Sequence, residues 1–341
     1  MIKVGLAGYG FMGHMHAQCH EATGDSKIVA VADVEAERRR EAGEKLRSRT
    51  YASLEEMLAA GEIDMVDICS PTYLHEEMVV AAAAAGKPIL CEKPMSLTLE
   101  ACDRMIEAVE KAGVPFMVAQ VIRFWPEYQV IRDILQSGRW GRLEWLSARR
   151  LSPPPSWAWK GWLLDPAKSG GAVLDLHLHD LDAIAWLAGP PKSVQAVGVA
   201  GPQGGIDSVV SLGWGHSSGA KSAAEGSLSL SPGFPFSMAL LVACEKATIR
   251  FDSGLSPSLI VYPFEGPPSI PELPAPKVGA ASGTAGNISS LGGYYNEIKY
   301  FTACLRDGRE PDVVTPAESR EAVKICLAVA RSASTGQPVT L

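Results

Sequence analysis

Three groups of residues have types and spacings that chemistry can use. The first is Gly8-Tyr9-Gly10-Phe11-Met12-Gly13, which follows a strand-like run and opens a helix-like one. That arrangement offers backbone N–H groups and the positive end of a helix to a pyrophosphate, with Gly8, Gly10, Phe11, Met12 and Gly13 as the candidate contacts. Asp33 lies twenty residues after Gly13, at the end of the next strand-like run, where a carboxylate can accept hydrogen bonds from adenosine ribose hydroxyls. The same carboxylate repels a 2′-phosphate, and Val34 beside it brings no compensating charge, so NAD is expected in preference to NADP. The run Arg38-Arg39-Arg40 could reach a phosphate, but it reads first as a solvated helix face.

The second group is Glu92-Lys93-Pro94, at the end of another strand-like run. In a parallel α/β sheet the carboxyl edge of the strands faces the crevice where ligands bind, so Lys93 is placed for proton transfer or charge stabilisation. The third is Gly170-Gly171 followed by Asp175, His177, His179 and Asp180. If that stretch is helical, Asp175 and His179 share a face at i and i+4, and an acid paired with an imidazole can bind a hydroxyl and exchange its proton. His-x-His beside carboxylates also looks like a metal site, yet alternate residues on a helix diverge, and no metal is expected. Just before this block stand Trp157, Trp159 and Trp162. Indole faces stack on sugar C–H faces, and Trp162 is the candidate for touching substrate.

The elements that must hold these groups alternate regularly over the first 120 residues. Strands are expected at Lys3 to Ala7, Lys27 to Asp33, Met65 to Cys69, Ile89 to Cys91 and Phe116 to Ala119. Helices are expected at Gly13 to Ala22, Glu35 to Leu46, Ser53 to Ala60, Leu74 to Ala85 and Leu99 to Ala112, a parallel-sheet pattern. After residue 120 the register changes to a helix at Pro126 to Gln136 and longer alternating stretches at Leu143 to Arg150, Ser193 to Val199, Ser208 to Trp214, Ala223 to Leu230 and Ala247 to Phe251. Those imply an antiparallel sheet with one covered face. Pro263 to Ser290, rich in Pro, Gly, Ala and Ser, reads as a long irregular loop near a substrate mouth or a subunit contact, and helices are expected near Tyr294 to Asp307 and Pro316 to Thr335. The organisation is therefore 1–120 for a cofactor domain and 121–341 for a substrate and oligomerisation domain.

Composition narrows the partners. With 341 residues, 47% of them apolar, and a net charge of −7, the chain can bury two cores and has no basic stripe for nucleic acid or an anionic membrane. Small molecules remain. Met1 runs straight into a strand-like segment, not a secretory leader, and no apolar run reaches the 18 to 20 or so residues that span a bilayer, so a cytoplasmic protein is expected. Seven cysteines without a C-x-x-C pair fit neither a disulfide framework nor a zinc site.

Taken together, these residues resemble the glucose–fructose oxidoreductase/inositol dehydrogenase (Gfo/Idh/MocA) family over essentially the whole chain. The resemblance rests on the glycine motif, Ser70-Pro71-Thr72-Tyr73-Leu74-His75, Glu92-Lys93-Pro94, Gln120 to Arg123, the Gly-Gly…Asp175…His179 block and Tyr295-Asn296-Glu297. It implies an α/β fold, with an N-terminal Rossmann dinucleotide-binding domain and a C-terminal α/β domain on a large, open, mostly antiparallel sheet whose outer face makes homodimers or homotetramers. It implies that Lys93 bridges nicotinamide and substrate, that His179 is the proton donor or acceptor, and that Asp175 is its partner on the substrate, so that the three converge on one carbon. Ser70, Pro71, His75, Glu92 and Gln120 would line the cofactor and Arg123 the substrate pocket. His177 departs from the small residue common there and reads as a packed or solvent-facing imidazole. The activity implied is hydride transfer between NAD and a carbon of a sugar, inositol or related polyol. NAD-dependent glycoside cleavage through transient oxidation is one alternative, and a non-catalytic cofactor sensor is another, which the intact Lys93, Asp175 and His179 argue against.

Overall fold

Short apolar runs closed by glycine or proline become the strands of a parallel sheet in the amino-terminal part of the chain. In the computed structural model, which describes residues 1–274 and 292–341, they are β1 (Ile2–Ala7), β2 (Ser26–Ala32), β3 (Arg49–Tyr51), β4 (Met65–Ile68), β5 (Ile89–Glu92) and β6 (Phe116–Ala119). They pair in the order β3-β2-β1-β4-β5-β6, all parallel, which is the doubly wound dinucleotide-binding topology. The strands β4, β5 and β6 are buried at every residue, as a sheet covered on both faces requires. Helices α1 (Phe11–Thr23), α2 (Ala36–Leu46), α3 (Leu54–Ala59), α4 (His75–Ala84) and α5 (Leu99–Ala112) make the crossovers.

Helix α5 shows how the sequence sets an element. Thr98 caps its start, accepting a hydrogen bond from the Ala101 amide at 3.2 Å, and Gly113 ends it at φ 63°. Between them Ala101, Cys102, Met105 and Val109 fall on one face and are buried. Burying a side chain such as Met105 or Val109 contributes about 1.5–3 kcal/mol.

The chain divides into two units. The first is built on Met1–Phe124 and a later stretch that ends at Arg320, and the second takes up the chain at Trp125 and includes Glu321–Leu341. Helix α9 (Gly292–Asp307), which a division at residue 120 assigns to the second part, packs in the first unit. There its Tyr294 ring lies 6.2 Å from that of His16, and Asn296 donates to the Phe124 carbonyl at 3.2 Å.

In the second unit α6 (Pro126–Gln136), α7 (Pro166–Ser169), α8 (Leu178–Ala188) and the later part of α10 (Pro316–Thr335) accompany an eight-stranded sheet. Its strands are β7 (Leu143–Leu151), β8 (Ser193–Ala200), β9 (Ile206–Trp214), β10 (Lys221–Ser227), β11 (Ser237–Cys244), β12 (Ala247–Asp252), β13 (Leu259–Pro263) and β14 (Val339–Thr340). The order is β13-β12-β11-β7-β10-β9-β8-β14, and only β7 with β10 is parallel. Central β11 is not foreseen from sequence because Met238 to Cys244 is almost continuously apolar and hides the two-residue period. From Phe264 to Pro274 the only pairing is a bridge between Val261 and Ser269, and the rest of the expected irregular loop lies outside the described residues. Among the described residues no helix is long and apolar enough to cross a membrane.

Candidate active site

The glycine motif forms a cradle that side chains would fill. Gly8 holds φ 95°, and a Cβ there would stand 2.7 Å from the Cys69 carbonyl oxygen. A Cβ on Gly13 would stand 2.1 Å from the Gly8 carbonyl oxygen, so β1, the turn and α1 approach too closely for any residue but glycine. Gly10 caps α1 without a side chain, which leaves the helix start, with Phe11 and Met12 in its first turn, open to an anion.

Asp33 directly follows β2 beside this cradle. Its carboxylate accepts from the Tyr9 amide at 2.8 Å and the Glu35 amide at 2.8 Å, which fixes it in place. The three arginines behind it differ. Arg40 pairs with Glu37 in solvent, as a solvated face should, and Arg39 donates to the Asp33 and Val34 carbonyls at 2.7 and 3.0 Å. Arg38 instead lies 3.6 Å from the Asp33 carboxylate, and its guanidinium would be 3.4 Å from a Cβ on Gly10. The solvated-face reading therefore fails for Arg38, which shares the cradle.

Just past the carboxyl ends of β4, β5 and β6 stand Ser70, Lys93 and Gln120, the edge where ligands bind in this topology. Among the described residues, the Ser70 hydroxyl and both ends of the Gln120 amide are buried without a hydrogen-bond partner. Buried polar groups are seldom left so, and this pair fits a polar ligand such as a nicotinamide dinucleotide entering from that edge. Lys93 is half-buried and joined to Pro94 by a cis peptide bond.

Other expected cofactor contacts turn inward. The His75 ring nitrogens lie 2.9 and 3.0 Å from the carbonyls of Pro94 and Ser70, so His75 ties the two turns together, and burial lowers its pKa. Pro71 precedes the short turn Thr72–Leu74 that leads into α4. Glu92 is 5% exposed, with one carboxylate oxygen 3.1 Å from His16 Nε2 and the other accepting the Lys93 amide at 2.9 Å. Arg123 also differs from the expectation of a pocket-facing cation. It is 2% exposed, donates to the Val313 carbonyl at 2.9 Å and pairs with Glu318 at 3.1 Å, all within the first unit.

In the second unit Gly170 and Gly171, at φ 75° and 67°, turn the chain into Val173–His177, which is a π-helix and not the α-helix that an i, i+4 spacing assumes. It continues directly into α8, and such wider turns recur at functional sites. From Gly171 to Asp180 every residue is buried except Asp175 and His179. The acid and the imidazole are thus the side chains this segment offers outward. Asp180 anchors it from behind, bound by Arg150 on β7 through two hydrogen bonds of 3.0 Å. His177 is packed, its Nε2 2.9 Å from the Ser211 hydroxyl, and burial with the nearby Arg150 charge lowers its pKa to about 3. Trp162 is half-buried in Trp159–Leu164, where Lys160 and Gly161 hold left-handed φ values of 49° and 67°.

Sequence reading passed over His16, His20 and Asp67, which meet in the core of the first unit. Their signal was present: two histidines at i and i+4 on the glycine helix, and an aspartate inside the apolar run Met65 to Ile68, where a buried charge demands a partner.

A myo-inositol 2-dehydrogenase of Thermotoga maritima is 34% identical over 192 residues, 55% of this chain and 55% of that protein. An inositol 2-dehydrogenase of Rhizobium meliloti is 35% identical over 201 residues, 57% and 58% of the two chains. The chain thus spans about half the length of the curated relatives it matches. An oxidoreductase from Agrobacterium radiobacter, solved with NAD+, L-tartaric acid and magnesium, superposes with a TM-score of 0.84 at 23% identity over 99% of this chain and 98% of that one, a likeness of fold. Residues 2–120 match the oxidoreductase family with an NAD-binding Rossmann fold, and residues 128–250 match the GFO/IDH/MocA C-terminal domain. With both halves of the pattern matched in order, the chain belongs to the Gfo/Idh/MocA family of oxidoreductases.

Proposed function

We propose that this protein is an NAD-dependent oxidoreductase that moves a hydride to or from one hydroxyl-bearing carbon of a sugar, inositol or related polyol. The observation that carries the reading is that Asp175 and His179 alone are partly exposed in an otherwise buried segment, in a family whose named relatives include inositol dehydrogenases. A bound nicotinamide supplies the hydride acceptor or donor. The protein's residues do the rest. Gly8, Gly10, Phe11, Met12 and Gly13 hold the pyrophosphate, Asp33 the ribose, and Ser70 and Gln120 complete the polar lining. His179 takes the proton from the substrate hydroxyl, Asp175 accepts a hydrogen bond from the substrate, and Lys93 places positive charge where alkoxide character develops. Trp162 offers an aromatic face to the sugar.

NAD is the preferred cofactor in this reading, because the fixed Asp33 carboxylate repels a 2′-phosphate. Arg38 offsets part of that repulsion, so the preference is a matter of degree. The outer face of the second unit's sheet is proposed as a homodimer or homotetramer contact. Val197 is 68% exposed and stands opposite Val210, while Leu212 and Leu241 continue the apolar surface, more than an isolated sheet face usually shows to water.

Incubating the protein with NAD and a panel of inositols, hexoses and pentoses tests the function. Net NADH formation with a free polyol is expected, and Lys93→Ala should lower turnover about a hundredfold while NAD affinity holds. Release of an aglycone from glycosides with no net NADH would instead establish the cleavage reaction.

A further inference from the structure

A set of buried ionisable side chains in the first unit has no part in binding as described above. His16, on α1 three residues after Gly13, is fully buried, as are His20 on the same helix and Asp67 on β4. His16 Nδ1 lies 2.9 Å from an Asp67 carboxylate oxygen and Nε2 lies 3.1 Å from a Glu92 one. The second Glu92 oxygen accepts the backbone N–H of Lys93 at 2.9 Å. Asp67 is held from its other side by His20 at 3.0 Å, and His20 in turn by the Ser26 hydroxyl at 2.7 Å. The donor atoms of His16, Asp67 and Cys69 lie within 4.8 Å of one another, a spacing that a metal could use. Both His16 nitrogens and both Asp67 oxygens are already taken up by hydrogen bonds, so the geometry is that of a bonded network.

We propose that His16 is a positioning residue that ties the glycine-motif helix to Glu92 and, through Glu92, fixes Lys93. The role of Lys93 rests on the function proposed above. The physical basis is that an imidazole donating at both nitrogens to two carboxylates leaves neither free to change rotamer in a dry interior, where a lost partner is costly. Burial pushes the His16 pKa down, but the Asp67 carboxylate, with Cys69, outweighs it and holds the value well above the ordinary one. That favours the form of His16 that donates at both nitrogens. Because α1 also presents its start to the pyrophosphate, one rigid element connects cofactor binding to the placement of Lys93.

Site-resolved amine labelling of the cofactor-free protein tests this, with exposed Lys246 in the second unit as the reference lysine. In His16→Gln the labelling rate of Lys93 relative to Lys246 should rise threefold or more. Glu92→Met, which cannot accept the Lys93 amide, should give a rise of similar size, and the double variant should give no further rise. Where polyol turnover is measurable, His16→Gln should lower kcat about tenfold with substrate KM and NAD affinity within threefold. An unchanged Lys93 ratio, equal rises at Lys93 and Lys246, or additive effects in the double variant would overturn the proposal. Should His16→Gln fold poorly, the Glu92→Met ratio alone decides. Labelling needs no substrate, so a wild-type protein that oxidises no polyol refutes the functional reading while the labelling still judges the positioning.

Discussion

Two fully buried histidines, His16 in the first unit and His177 in the second, are held in opposite states. His16 in the first unit sits between Asp67 and Glu92, and its pKa is raised; His177 in the second lies near Arg150, and its pKa is lowered to about 3. Burial acts against the charged form in both. What differs is the sign of the nearest neighbour, which reverses the outcome in one case and reinforces it in the other. The first unit therefore keeps a charged network beneath Lys93, whereas the second keeps a neutral ring beneath the Asp175 and His179 segment, with Arg150 and Asp180 paired behind it. The pH dependence that these two histidines contribute should accordingly be opposite in sign.

The largest test of the comparison removes the counter-charge of Asp180. Arg150→Met leaves Asp180 buried without its two hydrogen bonds, and the loss should be about 3–5 kcal/mol in urea unfolding at neutral pH. Adding Asp180→Leu should recover most of it, since an apolar pair of similar volume is close to neutral. If Arg150→Met costs under 1 kcal/mol, the pair is not what anchors the π-helix and α8 to the sheet.

A second test concerns the alkaline side of the first unit. Glu297 on α9 is fully buried, neither carboxyl oxygen has a partner among the described residues, and burial first, then the Glu92 charge, push its pKa well above the usual range. The folded state keeps a proton that the unfolded state releases above its ordinary pKa. Stability is therefore lost as pH rises through that window, by up to about 1.4 kcal/mol per pH unit. His16 adds to the same trend, since its contribution is full below the unfolded pKa and is lost as pH rises through the raised folded value. Glu297→Gln should leave stability at pH 5 nearly unchanged and make the fall between pH 6 and 8 shallower. An unaltered slope would show that Glu297 does not hold its proton.

How far all this could be read from sequence depended on whether a residue's role is local. The glycine cradle, the placement of Lys93 after β5 and the helix α5 follow from neighbours within one crossover, and each lies within a residue or two of where spacing put it. Arg123 reads locally as a cation beside a strand end, but Val313 and Glu318, about 190 residues away, decide its place. Arg38 looked like one of three equivalent arginines until β2 and α2 were folded against the glycine turn. The π-helix is invisible to a periodicity that assumes i, i+4 spacing, although the two consecutive left-handed glycines before it are a local warning. β11 was lost for the opposite reason: its burial alternates, but Ala239, Leu241 and Ala243 on the outward face are as apolar as the buried residues between them, so the residue types do not alternate.

The smallest expected effect lies on the acid side of the second unit and depends on His177 alone. Its ring is neutral in the folded state down to about pH 3, while in the unfolded chain it gains a proton below about 6.5. The unfolded state thus binds more protons between those values, and stability must rise with pH across that window and fall as pH drops. From pH 6.5 to 5 the loss from this group is at most about 2 kcal/mol. His177→Gln can keep a hydrogen bond to Ser211 but carries no titration, and the close approach of Gly226, where a Cβ would stand 2.8 Å from the ring, limits how far the new side chain can shift. At pH 7 the variant should be about 1 kcal/mol less stable than wild type through imperfect packing and a weaker hydrogen bond. By pH 5 that gap should close or reverse in urea unfolding, because only wild type bears the cost of keeping a buried imidazole neutral. A gap that stays constant from pH 7 to 5 would mean that His177 is protonated in the folded state, and the contrast with His16 would then be lost.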